Sequence, residues 1–277
     1  MKPTLTHSLI AAPGSRPRSW LLVLHGIFGA GRNWGTVARR LVTARPQWGV
    51  ALVDLRMHGE SQGFPPPYTL ETSAGDLVDI RRSLADRLRA VLGHSFGGKV
   101  ALAYLRSRPP DLQQVWVIDA DPSAMEPTGT SWEMLHAVTA LPSRFQSRAE
   151  ATAGLEHLGF DRRVAQWMAT NLEPVDGWYQ WRLDFHALEG LLRGFFGTDL
   201  WKVIEDPPAN VALHFVKAID SRAMSESTLA RLEAIGRATE RVFVHHLRGG
   251  HWLNVDNPDA VVALLNSTLP DGTHGLQ

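Results

Sequence analysis

Gly93-His94-Ser95-Phe96-Gly97-Gly98 follows the short apolar run Arg89-Ala90-Val91-Leu92 and reads as G-x-S-x-G. That pattern holds a serine on a sharp turn between a strand and a helix. A serine hydroxyl is a weak nucleophile until geometry and a neighbouring base activate it. Gly93 and Gly97 stand where a Cβ would crowd the crossing of strand and helix. The same residues also satisfy a phosphate-loop pattern, from Gly93 through Gly98 to Lys99, with Val115–Asp119 imitating the apolar strand that accompanies it. A phosphate loop needs Ser or Thr after the lysine to hold Mg²⁺, and Val100 stands there. The serine reading also accounts for two further segments that the phosphate loop leaves idle.

One of these is Arg248-Gly249-Gly250-His251-Trp252, whose glycines let a loop carry His251 over the strand ends. In the serine elbow fold the chain order is Ser, acid, His, so His251 is the expected base. His214, His245 and His246 lie inside strand patterns and are poorer bases. His245, His246 and His251 lack a convincing metal-ligand spacing, and no metal is expected. The acid, which fixes the imidazole tautomer and stabilises the imidazolium, has three candidates: Asp119, Asp121 and Asp220. Each also fits a plain turn or strand-end role, since Asp favours such positions. The other segment is His25-Gly26-Ile27-Phe28-Gly29. An oxyanion hole needs two backbone N–H groups, and those of Ile27 and Phe96 are expected to supply them. His25 reads as a structural hydrogen-bonder, and Arg56 and His58 as residues that order the loop Asp54–Ser61.

These residues need strands and helices to position them. Apolar runs at Trp20–Leu24, Val50–Asp54, Ala90–Leu92, Val115–Asp119, Val211–Val216 and Arg241–His246 do not alternate, as suits strands buried on both faces. Helical patterns lie between them at Trp34–Thr43, Glu71–Arg87, Gly98–Arg106, Ser225–Arg237 and Pro258–Thr268. Strand and helix in alternation predict an α/β fold with a mostly parallel central sheet flanked by helices. An antiparallel edge strand is expected near Thr4–Ile10. The rhythm breaks between Pro122 and Pro208, where five of the ten tryptophans lie (Trp132, Trp167, Trp178, Trp181, Trp201). Helical patterns run over Asp161–Asn171 and Trp181–Phe196, and no strand pattern is evident. The expected division is a core of residues 1–121 and 209–277 with an inserted helical cap, residues 122–208. Most of its aromatics are expected to form the cap's own core, with a few facing the catalytic pocket.

Lysine plus arginine number 28, aspartate plus glutamate 28, so no net basic field favours nucleic acid or an anionic membrane. Arg81, Arg82, Arg87 and Arg89 read as the solvated face of an amphipathic helix. The absence of cysteine excludes disulfides, thiolate metal sites and a cysteine nucleophile. Apolar runs are too short to span a bilayer, and Met1–Trp20 does not read as a secretory signal. A cytoplasmic location, without membrane insertion, is the expectation.

Together, Leu24–Trp34 (LHGIFGAGRNW), Asp54–Ser61 (DLRMHGES), Gly93–Lys99 (GHSFGGK), Trp181–Asp184 (WRLD) and Gly249–Trp252 (GGHW) resemble an α/β-hydrolase. More narrowly, they resemble the small capped esterase/lipase branch that includes bacterial acyl esterases and a mitochondrial abhydrolase. The resemblance implies Ser95 as nucleophile, His251 as base, and Ile27 and Phe96 as oxyanion donors. It also favours Asp119 as the acid, with Asp220 the rival, because members of the branch place an Asp at the end of the strand corresponding to Val115–Asp119. Phe215–Ser221 departs from the usual Gly-rich turn there, and Asp220 stands about one residue off the common acid register. The expected function is a serine hydrolase that cleaves carboxylic esters, or thioesters, through an acyl-enzyme, on small to medium acyl chains. The partner is a small-molecule ester, no cofactor is called for, and the chain acts as a monomer or homodimer. The rivals are a cofactor-free haloperoxidase, a C–C bond hydrolase, and a non-catalytic binding protein on the same fold.

Overall fold

A computed structural model describes residues 3–84 and 87–271. The chain runs β1 (His7–Ile10), β2 (Ser19–Leu24), α1 (Gly35–Ala44), β3 (Trp48–Val53), α2 (Leu70–Ser83), β4 (Leu88–His94), α3 (Phe96–Leu105) and β5 (Gln114–Ile118). There follow α4 (Thr130–Ala140), β6 (Arg144–Phe145), α5 (Arg148–His157), α6 (Arg162–Ala169), β7 (Leu172–Val175), β8 (Trp178–Trp181), α7 (Phe185–Gly197) and α8 (Trp201–Glu205). The chain then returns through β9 (Ala212–Ala218), α9 (Glu226–Thr239), β10 (Val242–Leu247), α10 (Leu253–Asp256) and α11 (Pro258–Thr268).

Seven strands form one sheet in the order β1-β3-β2-β4-β5-β9-β10. Only β1 is antiparallel, pairing with β3 at the edge, as expected from Thr4–Ile10. Every residue of β2, β3 and β5 is buried. Helices cover both faces of the sheet, so these strands read as unbroken apolar runs. β2 is flanked by β3 on one side and β4 on the other. The helices after β2 and β4 pack into different cores: Val37 and Leu41 of α1 on one face, Val100 and Leu102 of α3 on the other. The two loops therefore diverge and leave a crevice at the carboxyl ends of β2 and β4, the place where open α/β sheets bind ligands.

The predicted helix Glu71–Arg87 is shorter in the structure. It ends at Ser83; residues 85 and 86 lie outside the described residues. Leu88 and Arg89 belong instead to β4, where pairing with β2 overrides the helical spacing of the arginines. Between 122 and 208 the reading without strands is incorrect. β6, β8 and β7 form a small antiparallel sheet, and β7 and β8 join at Asp176-Gly177, both at positive φ. Asp-Gly flanked by apolar residues is a strong hairpin signal, and it falls in the gap between the helical patterns Asp161–Asn171 and Trp181–Phe196. The helix predicted from Trp181 starts at Phe185, where the Asp184 side chain accepts from Ala187 N–H at 3.1 Å. Among the described residues, no helix is long and apolar enough to cross a membrane.

Candidate active site

Ser95 closes β4 and opens α3 at φ 52°, ψ −116°. That left-handed backbone is strained for a residue with a side chain, and such strain collects at functional sites. The turn is held by Ser95 N–H on the Ile118 carbonyl and Gly98 N–H on the Ser95 carbonyl, each 2.9 Å. A Cβ on Gly93 would sit 2.0 Å from the Gly97 carbonyl oxygen, and one on Gly97 would sit 2.5 Å from that of Leu24. Both glycines are thus required by close backbone approach, as read from the sequence.

Asp119 follows β5 at φ 49°, fully buried. Its Oδ2 lies 2.7 Å from His251 Nδ1 across 132 residues of sequence, and its Oδ1 accepts from Ala218 N–H at 3.2 Å. Burial works to raise the Asp119 carboxyl, but bonds from His251, the Ser221 side chain and Ala218 N–H outweigh it and hold it below the usual carboxylate range. The other candidate acids line the same cavity but make different contacts. Asp220 is exposed on the loop after β9, where its N–H donates to the Gly249 carbonyl at 3.1 Å. Asp121 accepts from Ser123 N–H at 2.9 Å and from Thr228 Oγ1 at 2.6 Å, a turn-and-anchor role. The structure thus joins Asp119, not Asp220, to His251.

Ser95, His251 and Asp119 line one cavity of about 710 Å³ together with Ile27. The His25–Gly29 loop presses on the serine: a Cβ on Gly26 would lie 3.4 Å from Ser95 Cβ. Phe96 opens α3, and the first N–H groups of a helix have no intrahelical acceptor. Trp167, Phe195 and Phe196 of the inserted segment face the cavity, with Met125 and Met134. Trp181 instead meets Phe145 and Phe185 edge to face, inside the segment's own packing. Trp167 also packs on Trp252 at 5.0 Å, and Arg163 pairs with Asp256 at 3.1 Å, so α6 meets the loop that carries His251.

Three buried histidines surround this core of the site. His25 accepts from Leu55 N–H on Nε2 at 3.0 Å, so its Nδ1 carries the proton and donates to the Gly26 carbonyl at 2.7 Å. His58 Nδ1 donates to the Arg56 carbonyl at 2.9 Å, and Arg56 forms a buried two-point ion pair with Asp76. Both therefore order the Asp54–Ser61 loop as expected. The role of His94 was not foreseen: its Nε2 donates to the His251 backbone carbonyl at 2.7 Å, tying the histidine loop to the serine turn. No sequence pattern marks this bond, because it spans 157 residues. Desolvation, first of all, lowers His25 from 6.5 to about 4, and His58 and His94 to about 3.

These depressed values carry a stability prediction. The unfolded chain takes up protons near pH 6.5, whereas the folded one resists them until about pH 4 to 3. The unfolded state therefore binds more protons across this window, and stability present above pH 6.5 is lost as pH falls. Between about pH 6 and pH 4 three such groups lose on the order of 4 kcal/mol for each pH unit. Urea midpoints at pH 7, 6 and 5 are expected to drop steeply; a constant midpoint across that range overturns the assignment.

Lys99, the residue that imitates a phosphate-loop lysine, is fully buried. Its Nζ donates to the carbonyls of Ser123, Phe195 and Thr198 at 2.7, 2.6 and 3.0 Å. All three ammonium hydrogens are thereby satisfied, and the lysine binds α3 to the inserted segment instead of facing the cavity. Burial lowers it to about 8, partly offset by Asp121 and Asp199. Of the strand histidines, His214 bonds His245 at 3.1 Å and stacks on Trp116, while His246 is exposed.

A family model described as the Alpha/beta hydrolase family matches residues 21–264. The chain is 27% identical over 243 residues to the sn-1-specific diacylglycerol lipase ABHD11 of Danio rerio, covering 86% of this chain and 74% of that one. It is 28% identical over 265 residues to the Esterase YbfF of Escherichia coli (strain K12), covering 94% and 96%. Among solved structures, a marine microorganism esterase has the same fold with a TM-score of 0.82 at 22% identity, covering 97% of this chain and 100% of that one. The family match spans the sheet from Leu21 onward and includes Ser95, Asp119 and His251, and on it the chain belongs to the alpha/beta hydrolase family.

Proposed function

We propose that this protein is a carboxylic ester hydrolase in which Ser95, His251 and Asp119 form the catalytic triad. The observation that carries the reading is the His251–Asp119 bond of 2.7 Å in the same cavity as a serine on a strained strand-to-helix turn. Relatives named as a diacylglycerol lipase and an esterase support the ester chemistry. With Nδ1 bonded to Asp119, Nε2 is the imidazole nitrogen left to take the Ser95 proton. Ser95 Oγ attacks the acyl carbonyl, and the developing oxyanion is received by the N–H groups of Ile27 and Phe96. The imidazolium then protonates the leaving alcohol or thiol, giving an acyl-enzyme. Water, deprotonated by the same Nε2, releases the acid.

The segment 122–208 acts as a cap over a core of residues 1–121 and 209–277. Its Met134, Trp167, Phe195 and Phe196 give the cavity an apolar wall. A volume of about 710 Å³ suits small to medium acyl chains. The test is labelling with a fluorophosphonate, located by peptide mass spectrometry. Stoichiometric modification of Ser95 is expected, blocked by prior turnover-dependent inhibition with a slow carbamate. Folded protein that takes no label at Ser95 overturns the reading.

A further inference from the structure

Asn171 follows α6 in the inserted segment and is buried, 7% exposed. Its backbone is already committed: N–H to the Met168 carbonyl, and carbonyl to Arg182 N–H, each 3.0 Å. The side chain reaches the loop after β2, where Nδ2 donates to the Phe28 carbonyl at 2.9 Å. Phe28 is itself unusual. It is buried and holds φ 61°, a strained conformation that a side-chain-bearing residue keeps only where its surroundings enforce it.

The Phe28 carbonyl belongs to the peptide unit that ends in Gly29 N–H. That N–H donates to the Gly26 carbonyl at 3.0 Å. The Gly26 carbonyl in turn belongs to the peptide unit that ends in Ile27 N–H. A trans peptide is planar, with its C=O and N–H pointing opposite ways, so fixing the oxygen fixes the direction of the hydrogen. Two peptide units thus link the Asn171 amide to Ile27 N–H. Hydrogen bonds in such a series also polarise one another.

We propose that Asn171 is a positioning residue for the oxyanion hole, aiming and polarising Ile27 N–H through the Phe28–Gly29 and Gly26–Ile27 peptides. The inference rests on the triad reading above, which makes Ile27 N–H an oxyanion donor. It adds that the cap takes part in the chemistry without touching the substrate: a cap that is unseated withdraws Asn171 and loosens the donor. His25 Nδ1 holds the same Gly26 oxygen from the core side, so the aim is weakened, not abolished, when Asn171 is lost.

The test compares Asn171→Leu, Asn171→Asp and Asn171→Ala with the parent on 4-nitrophenyl butyrate, per active site titrated by fluorophosphonate stoichiometry. Losing a whole oxyanion donor costs about 10²–10³-fold in kcat, and a misaimed one is expected to cost about tenfold. KM should stay within about twofold, and the affinity for an aliphatic trifluoromethyl ketone, which forms an oxyanion on the serine, should fall by the same factor as kcat/KM. A merely structural role would lower the melting temperature and the titratable fraction yet leave kcat per titrated site unchanged. That result, in whichever of the three variants folds, overturns the inference. Failure of Ser95 to label in the parent overturns the triad reading instead, so the two failures are separable.

Discussion

Ser95→Ala is expected to lower kcat/KM for 4-nitrophenyl esters by about 10⁵- to 10⁶-fold, the scale on which a nucleophile of a triad fails when removed. Only Oγ is deleted. Alanine meets the same backbone strain at φ 52°, and both hydrogen bonds that hold the turn are made by the backbone. Folding should therefore be unaffected, with a melting temperature close to that of the parent. The residual rate should come from the oxyanion donors and the cavity alone, which still bind and polarise the ester. A variant that keeps more than about one hundredth of the activity would show that Ser95 is not the nucleophile.

Asp119→Asn is expected to cost about 10⁴-fold in kcat. The carboxylate can only accept, so it holds the proton on His251 Nδ1 and leaves Nε2 free to take the serine proton. An amide in its place can donate to Nδ1 and stabilise the opposite tautomer, whose Nε2 is already protonated and cannot act as base. The carboxylate also faces the imidazolium that forms when the serine is deprotonated, and the neutral amide cannot stabilise that charge. Asp220→Asn serves as the matched control. Asp220 is exposed, and it meets the histidine loop through its backbone, N–H to the Gly249 carbonyl, so kcat should stay within about twofold. Equal losses in the two variants, or a larger loss at Asp220, would reverse the assignment of the acid.

The serine turn was legible because its demands are local. Gly93 and Gly97 are needed within four residues of each other by backbone contacts of 2.0 and 2.5 Å that no Cβ fits, and such a requirement prints itself on contiguous sequence. The strands were legible because burial on both faces leaves apolar runs with no alternation. The small sheet of β6, β7 and β8 is not evident in the sequence although Asp176-Gly177 announces its hairpin, because its strands are only two to four residues long and carry little pattern. Lys99 shows the reverse case. Its position mimics a phosphate-loop lysine; Val100 already argues against that reading, and burial of the ammonium against three carbonyls shows what the lysine does instead.

What the sequence by itself determined is the set of groups able to do chemistry and the alternating order of strand and helix that brings strand ends to one edge. It left the acid open among Asp119, Asp121 and Asp220, with resemblance to a family as the only ground for preferring one. The tertiary structure alone places Asp119 against His251 Nδ1, and it alone discloses His94 on the His251 carbonyl and Asn171 on that of Phe28. The physical reason is common to all three. Each bond joins loops more than 130 residues apart, and its existence depends on sheet register and on where the inserted segment docks. Short-range spacing carries no trace of either.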